Sequence, residues 1–179
     1  AKIYGARVIG VRGNFDKALE MARTASREKG SLAIVNSVNP YRLFGQRSAS
    51  WEICDELGSP PDWLCLPVGN AGNISAYCAG FEFYKEIGQI SRLPRLIGAQ
   101  AEGAAPLVKG APVDTPETVA TAIRIGRPVS ASSARRAVEI TNGQFLSVSD
   151  EEILEAQRIL PSHTGIFAEP ASRISSSDT

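Results

Sequence analysis

Leu64-Cys65-Leu66-Pro67-Val68-Gly69-Asn70-Ala71-Gly72-Asn73 is an apolar strand that stops in a loop of small residues before a helical pattern opens at Ile74. Two glycines let a backbone turn tightly and approach a ligand with no Cβ in the way. The free N–H groups of a helix's first turn, together with its dipole, favour an anion at that point. The stretch therefore reads as a cradle for a phosphate ester, formed by Gly69, Asn70, Ala71, Gly72 and Asn73. Taken alone it is a weak signal, because an ordinary strand-to-helix turn carries the same residues.

Strands and helices alternate on both sides of this unit. Residues 7–12 read as a strand, and a helix follows in which Phe15, Ala18, Leu19 and Ala22 share a face, ending at Gly30. Residues 32–35 form a short apolar strand that enters a polar loop, Asn36-Ser37-Val38-Asn39-Pro40-Tyr41-Arg42. Loops at the carboxyl ends of parallel strands are where open α/β sheets bind ligands, which makes Asn36, Ser37 and Arg42 candidates.

A helix over 46–57 closes at Gly58, and the helix after the cradle carries Tyr77, Phe81 and Tyr84 as a core stripe. Residues 95–101 give a further strand, ending in a second small-residue loop over 102–106. Thr115 and Pro116 predict a helix reaching Ile125, and a Ser/Ala/Arg helix closes at Gly143. Residues 144–148 form a strand, and Ser149 with Glu152 makes a capping box for a helix that Pro161 stops. Residues 165–168 read as the last strand, and the Ser-rich residues 173–179 as a frayed end. The pattern predicts an α/β fold, a mostly parallel sheet with helices on both faces.

Composition narrows the function. Nineteen basic and 19 acidic residues balance and are interspersed, so no stripe invites nucleic acid and no patch a membrane surface. No apolar run reaches the ~18 residues of a membrane span. Three cysteines, Cys54, Cys65 and Cys78, form no framework, which predicts a reducing, cytoplasmic setting. His163 is the single histidine and stands in a polar turn, so neither a metal site nor a Ser/His/Asp triad is expected.

Nine motifs carry a family resemblance. Tyr4-Gly5-Ala6, Gly13-Asn14-Phe15-Asp16, the segment from Asn36 to Arg42, Gly45-Gln46 and the segment from Pro67 to Asn73 are the first five. Gly103-Ala104-Ala105-Pro106, Thr121-Ala122-Ile123-Arg124-Ile125-Gly126, Ser149-Asp150-Glu151-Glu152-Ile153-Leu154 and Phe167-Ala168-Glu169-Pro170-Ala171-Ser172 complete them. In order and spacing they resemble the threonine synthases.

That resemblance implies a tryptophan-synthase-β-like, fold-type II pyridoxal-phosphate architecture, incomplete at both ends. Residues 1–30 would end a smaller α/β domain, and residues 31–179 would form a larger cofactor-binding domain. It also implies conversion of O-phospho-L-homoserine and water into L-threonine and phosphate, usually by a homodimer. On this resemblance the cofactor's phosphate lies at Gly69, Asn70, Ala71, Gly72 and Asn73. Asn36, Ser37 and Arg42, with Asn73 beside them, hold the substrate's phosphate. Arg42 is suited to grip two of its oxygens.

The departures are specific. The family's Schiff-base lysine, in a Ser-Phe-Lys-Asp-like motif, is missing from this sequence, so no catalytic residue is assigned. Lys2, Lys17, Lys29, Lys85 and Lys109 have none of that context. The asparagine that meets the cofactor's 3′-oxygen and the hydroxyl residue near the ring nitrogen are expected upstream and downstream. Pro161 and the tail from Arg173 also depart from the family. The alternatives are another fold-type II enzyme, such as a threonine or serine dehydratase, and a non-catalytic phosphate-binding module.

Overall fold

A computed structural model describes residues 1–30, 32–36 and 38–174. The chain divides into two compact units, Ala1–Ile34 and Val35–Thr179.

The first unit is built on helix α1 (Phe15–Lys29). The Asn14 side chain accepts from the Lys17 N–H at its start, and Gly30, at φ +59°, closes its end. The second unit holds helices α2 (Pro40–Gln46) and α3 (Ser48–Leu57), strand β1 (Trp63–Pro67), helix α4 (Gly72–Glu86) and strand β2 (Arg95–Ala101). Helices α5 (Pro106–Lys109) and α6 (Ala131–Ile140), strand β3 (Gln144–Val148), and helices α7 (Asp150–Thr164) and α8 (Pro170–Arg173) complete it.

The three strands lie in the order β1-β2-β3 and are all parallel. Strand β2 is central, and alternate side chains serve opposite faces, as strand geometry requires. Leu96 joins Leu66, Val68, Ile74, Phe81, Ala134 and Ala137 in one buried cluster. Ala99 and Ala101 join Ala120, Ile123, Val148, Ile153 and Ala171 in another. The expected parallel sheet, covered by helices on both faces, is thereby realised. Helices α3 and α4 cross closely at Gly80, where a Cβ would collide with Ser50 Oγ and the Arg47 carbonyl. The Trp51 indole N–H donates to the Gly80 carbonyl at 3.0 Å at the same point.

Several sequence expectations fail for identifiable reasons. Residues 7–12, 32–35 and 165–168 join no sheet among the described residues. Most of their large apolar side chains are exposed, Ile9 by 71%, Val35 by 72% and Phe167 by 78%. Local apolarity makes a segment compatible with a strand, but a strand forms only where a neighbour accepts its ladder. The helix expected over 115–125 is reduced to one turn, Thr121–Ile123. The Glu117 N–H is taken by the Gly103 carbonyl at 3.1 Å, and the Val119 N–H by Asp150 Oδ2 at 3.1 Å. Those bonds outcompete a helical ladder.

Pro161 does not stop α7; it lies inside it. A proline lacks the N–H that would bond the carbonyl four residues back, which here is that of Gln157. Arg173, fully buried, donates from one guanidinium nitrogen to that carbonyl at 3.2 Å and to the Ala156 carbonyl at 3.4 Å. No described helix is long and apolar enough to cross a membrane. No metal-binding cluster occurs among the described residues.

Candidate functional site

The cradle forms where β1 ends. Val68 still pairs with β2, its N–H donating to the Ala99 carbonyl at 2.8 Å, and α4 begins at Gly72. The left-handed residue in this turn is Ala71, at φ +64°, so neither glycine supplies the turn as the sequence suggested. The glycines serve close approach instead. A Cβ on Gly69 would stand 2.9 Å from Ile123 Cα, and one on Gly72 would stand 3.2 Å from Leu43 Cδ2.

Side-chain amides organise the loop. Asn73 donates to the Pro67 carbonyl at 2.7 Å and accepts from the Ile74 N–H at 2.8 Å. Ser75 Oγ donates to the Ala71 carbonyl at 2.7 Å. Asn70 Oδ1 accepts from the Val129 N–H at 2.7 Å, and the Asn70 carbonyl from the Ser130 N–H at 3.2 Å. The opposite end of that amide, Asn70 Nδ2, is buried and meets no partner among the described residues. The backbone N–H groups of Gly69, Asn70, Ala71 and Gly72 likewise meet no acceptor there. A buried donor left unpaired is costly, as Asn70 Nδ2 is here, and the N–H groups beside it offer further donors to an acceptor. No residue from Gly69 to Asn73 carries charge. Binding would rest on N–H dipoles and on the amino end of α4.

Arg42 belongs to α2 rather than to the loop the sequence suggested. Asn39 caps this helix, its Oδ1 accepting from the Tyr41 N–H at 2.9 Å, and Pro40 fills the first helical position. The Arg42 guanidinium donates to Asn36 Oδ1, so the structure brings these two candidates together on an exposed surface. Ser37 lies outside the described residues. Helix α2 packs on α4, with Leu43 against Gly72, and this places the Arg42 helix beside the cradle.

Sequence reading missed Gln100. It is fully buried in β2, with Nε2 donating to the Val68 carbonyl at 3.2 Å and Oε1 accepting from the Leu107 N–H at 2.8 Å. It thus joins the base of the cradle to the start of α5, just after the second small-residue loop. An amide within the otherwise apolar and small run Leu96-Ile97-Gly98-Ala99-Gln100-Ala101 was the available signal, because a buried polar group needs partners.

The perturbed titrating groups stand away from the cradle. Two hydrogen bonds from Arg136, at 2.9 and 2.7 Å, hold the Glu82 carboxyl below its ordinary range. Burial, reinforced by the Glu82 charge, pushes the Cys78 thiol up to about 12 and leaves it inert. Lys85 and Lys109 lie in the last turns of α4 and α5, and Lys17 pairs with Glu20 in the first unit.

Comparisons with known proteins extend this picture. A family described as pyridoxal-phosphate dependent enzyme matches residues 1–175. The threonine synthase of Synechocystis sp. is 57% identical over 175 residues, an alignment covering 98% of this chain and 46% of that protein. The threonine synthase of Mycobacterium tuberculosis is 52% identical, covering 98% and 49%. The chain therefore spans about half the length of these relatives. A threonine deaminase from Solanum lycopersicum shares the fold, with a TM-score of 0.76, 20% identity, and coverage of 98% of this chain and 48% of that one.

Proposed function

The chain belongs to the pyridoxal-phosphate dependent enzymes, and on that footing we propose that it is the phosphate-holding part of a threonine synthase. The whole enzyme would convert O-phospho-L-homoserine and water into L-threonine and phosphate. In this reading residues 1–30 complete a smaller domain and residues 31–179 belong to the larger cofactor domain of a cytoplasmic homodimer.

The residues present fit the cofactor's phosphate. Four backbone N–H groups, from Gly69 to Gly72, and Asn70 Nδ2 meet no acceptor among the described residues; all are donors, which suits a group offering only acceptor oxygens. Bound pyridoxal phosphate supplies an electron sink for carbanion chemistry at the substrate amino acid. This chain's contribution is to hold its phosphate end with dipoles and to set α2 beside it. Arg42, oriented by Asn36, holds the substrate's own phosphate, and the Ser37 hydroxyl adds a donor. Asn73 is committed to Pro67 and Ile74, so it supports the loop. The proton transfers at the substrate carbons need a base that these residues do not offer. The reading assigns it to a lysine outside this sequence, so the segment alone is expected to be inactive.

The single observation that carries the proposal is the Arg42–Asn36 pair, its guanidinium borne by a helix, α2, that packs on α4 at the cradle. A second phosphate site beside the cofactor's is what a phosphorylated substrate demands. The test is a steady-state assay of the full-length protein with O-phospho-L-homoserine, followed by Arg42→Ala. Phosphate and L-threonine are expected in equal amounts. The variant should raise KM about tenfold or more while kcat changes less, because a charge-assisted grip is lost. Ammonia from L-serine or L-threonine, indifferent to Arg42→Ala, would establish a dehydratase instead.

A further inference from the structure

We propose that Gln100 is a positioning residue for the cradle: its buried amide fixes the orientation of the Val68–Gly69 peptide and so aims the Gly69 N–H at the anion. The proposal rests on the reading that the cofactor's phosphate occupies the cradle.

In a trans peptide the carbonyl of one residue and the N–H of the next point in opposite directions. The Val68 carbonyl receives Gln100 Nε2 at 3.2 Å, so the Gly69 N–H faces away from Gln100. That N–H meets no acceptor among the described residues. The preceding peptide is pinned on both sides, because Asn73 Nδ2 holds the Pro67 carbonyl and Ala99 accepts from the Val68 N–H. The Val68–Gly69 peptide has no such ladder. Its carbonyl lies beyond the last paired residue of β1, Pro67, and depends on Gln100. Gly69 lacks a Cβ, so nothing intrinsic to that residue resists rotation of the peptide. Without Gln100 the peptide is free to turn over, replacing a donor in the cradle with a carbonyl oxygen that repels phosphate.

The amide is itself held. Its Oε1 accepts the Leu107 N–H at 2.8 Å, one of the otherwise unpaired donors at the start of α5. This bond fixes which end of Gln100 faces Val68. The side chain is fully buried, so water cannot take over either bond.

The test uses the full-length apoprotein, with pyridoxal phosphate and pyridoxal titrated separately by fluorescence. Gln100→Met keeps the shape and removes both hydrogen bonds. The wild-type preference for the phosphorylated form should fall by about tenfold or more, with pyridoxal affinity changed less than about threefold. Equal weakening of both ligands would overturn the proposal, since damage to packing does not distinguish them. A wild-type protein with no preference for the phosphorylated form would overturn the cradle reading as well, whereas a preference kept intact in the variant overturns the Gln100 proposal alone. A wild-type measurement covers a variant that fails to fold. The Gly69 amide proton should move downfield on replacing pyridoxal with pyridoxal phosphate while the Gln100 side-chain amide signals stay in place. An unmoved Gly69 amide overturns the proposal.

Discussion

Gly69 and Ile123 meet backbone to backbone: a Cβ on residue 69 would stand 2.9 Å from Ile123 Cα, with Ile125 Cδ1 at 3.2 Å. The turn Thr121–Ile123 is therefore a wall of the cradle, and Gly69 is required by that wall whether or not a ligand is bound. Gly69→Ala must push either the loop or the wall outward. The expected cost is about 1–3 kcal/mol of stability, with weaker binding of pyridoxal phosphate. Thermal unfolding and cofactor titration of the full-length variant check both.

Ala71 carries the turn's conformational cost. At φ +64° it occupies a region that costs an ordinary residue roughly 1–2 kcal/mol, and it is buried. Ala71→Gly should relieve that strain at the expense of chain entropy, leaving stability within about 1 kcal/mol of the wild type. Ala71→Val, branched and in the same conformation, should destabilise by more than about 2 kcal/mol. Denaturant midpoints for the pair decide the point.

Pro161 and Arg173 are coupled through the Gln157 carbonyl, which the proline leaves without its helical donor and the guanidinium takes over at 3.2 Å. Arg173 also donates from Nε to the Ala168 carbonyl at 2.9 Å and lies over the Phe167 ring. Arg173→Ala should cost about 2–3 kcal/mol, as buried carbonyls lose a charged donor. In a Pro161→Ala background residue 161 regains an N–H for Gln157, and the same substitution should cost measurably less. A double-mutant cycle of unfolding free energies measures that difference.

The Glu82–Arg136 pair sets an acid limit. Hydrogen bonds from Arg136 hold the Glu82 carboxyl low, burial opposes them, and the charges of Arg136 and Arg47 add to the depression. A depressed carboxyl stabilises the fold above its unfolded pKa, about 4.3, and that stabilisation is lost as pH falls through the lower folded value. The Tm advantage of wild type over Glu82→Gln should therefore be full near neutrality and shrink steadily in acid. Thermal scans across that range read it directly, and an advantage that grows in acid would refute the assignment.

The parts of the fold legible in sequence were those whose cause is local. The capping box shows this: Ser149 accepts from the Glu152 N–H at 3.2 Å while Glu152 returns to the Ser149 N–H at 2.8 Å. The β1-cradle-α4 unit was legible for the same reason, its glycines and helix start being adjacent in the chain. Illegible features depend on distant partners. Residues 7–12 carry strand-like side chains but pair with no strand among the described residues, and residues 115–125 lose their helix to Gly103 and Asp150. Pro161 sits within a helix because Arg173 takes the carbonyl it frees. In the candidate site, the sequence proposed the cradle with Asn36, Ser37 and Arg42, and the structure pairs Arg42 with Asn36. Sequence reading missed Gln100, whose importance lies in reaching Val68 and Leu107 at once.

Whether the loop from Gly69 to Gly72 holds the cofactor's phosphate is decided by a crystal structure of the full-length protein with pyridoxal phosphate bound. The phosphate oxygens are expected about 2.7–3.2 Å from the Gly69, Asn70, Ala71 and Gly72 nitrogens, with Asn70 Nδ2 turned to them. A phosphate seated elsewhere, with those N–H groups bonded to protein or water, would contradict it.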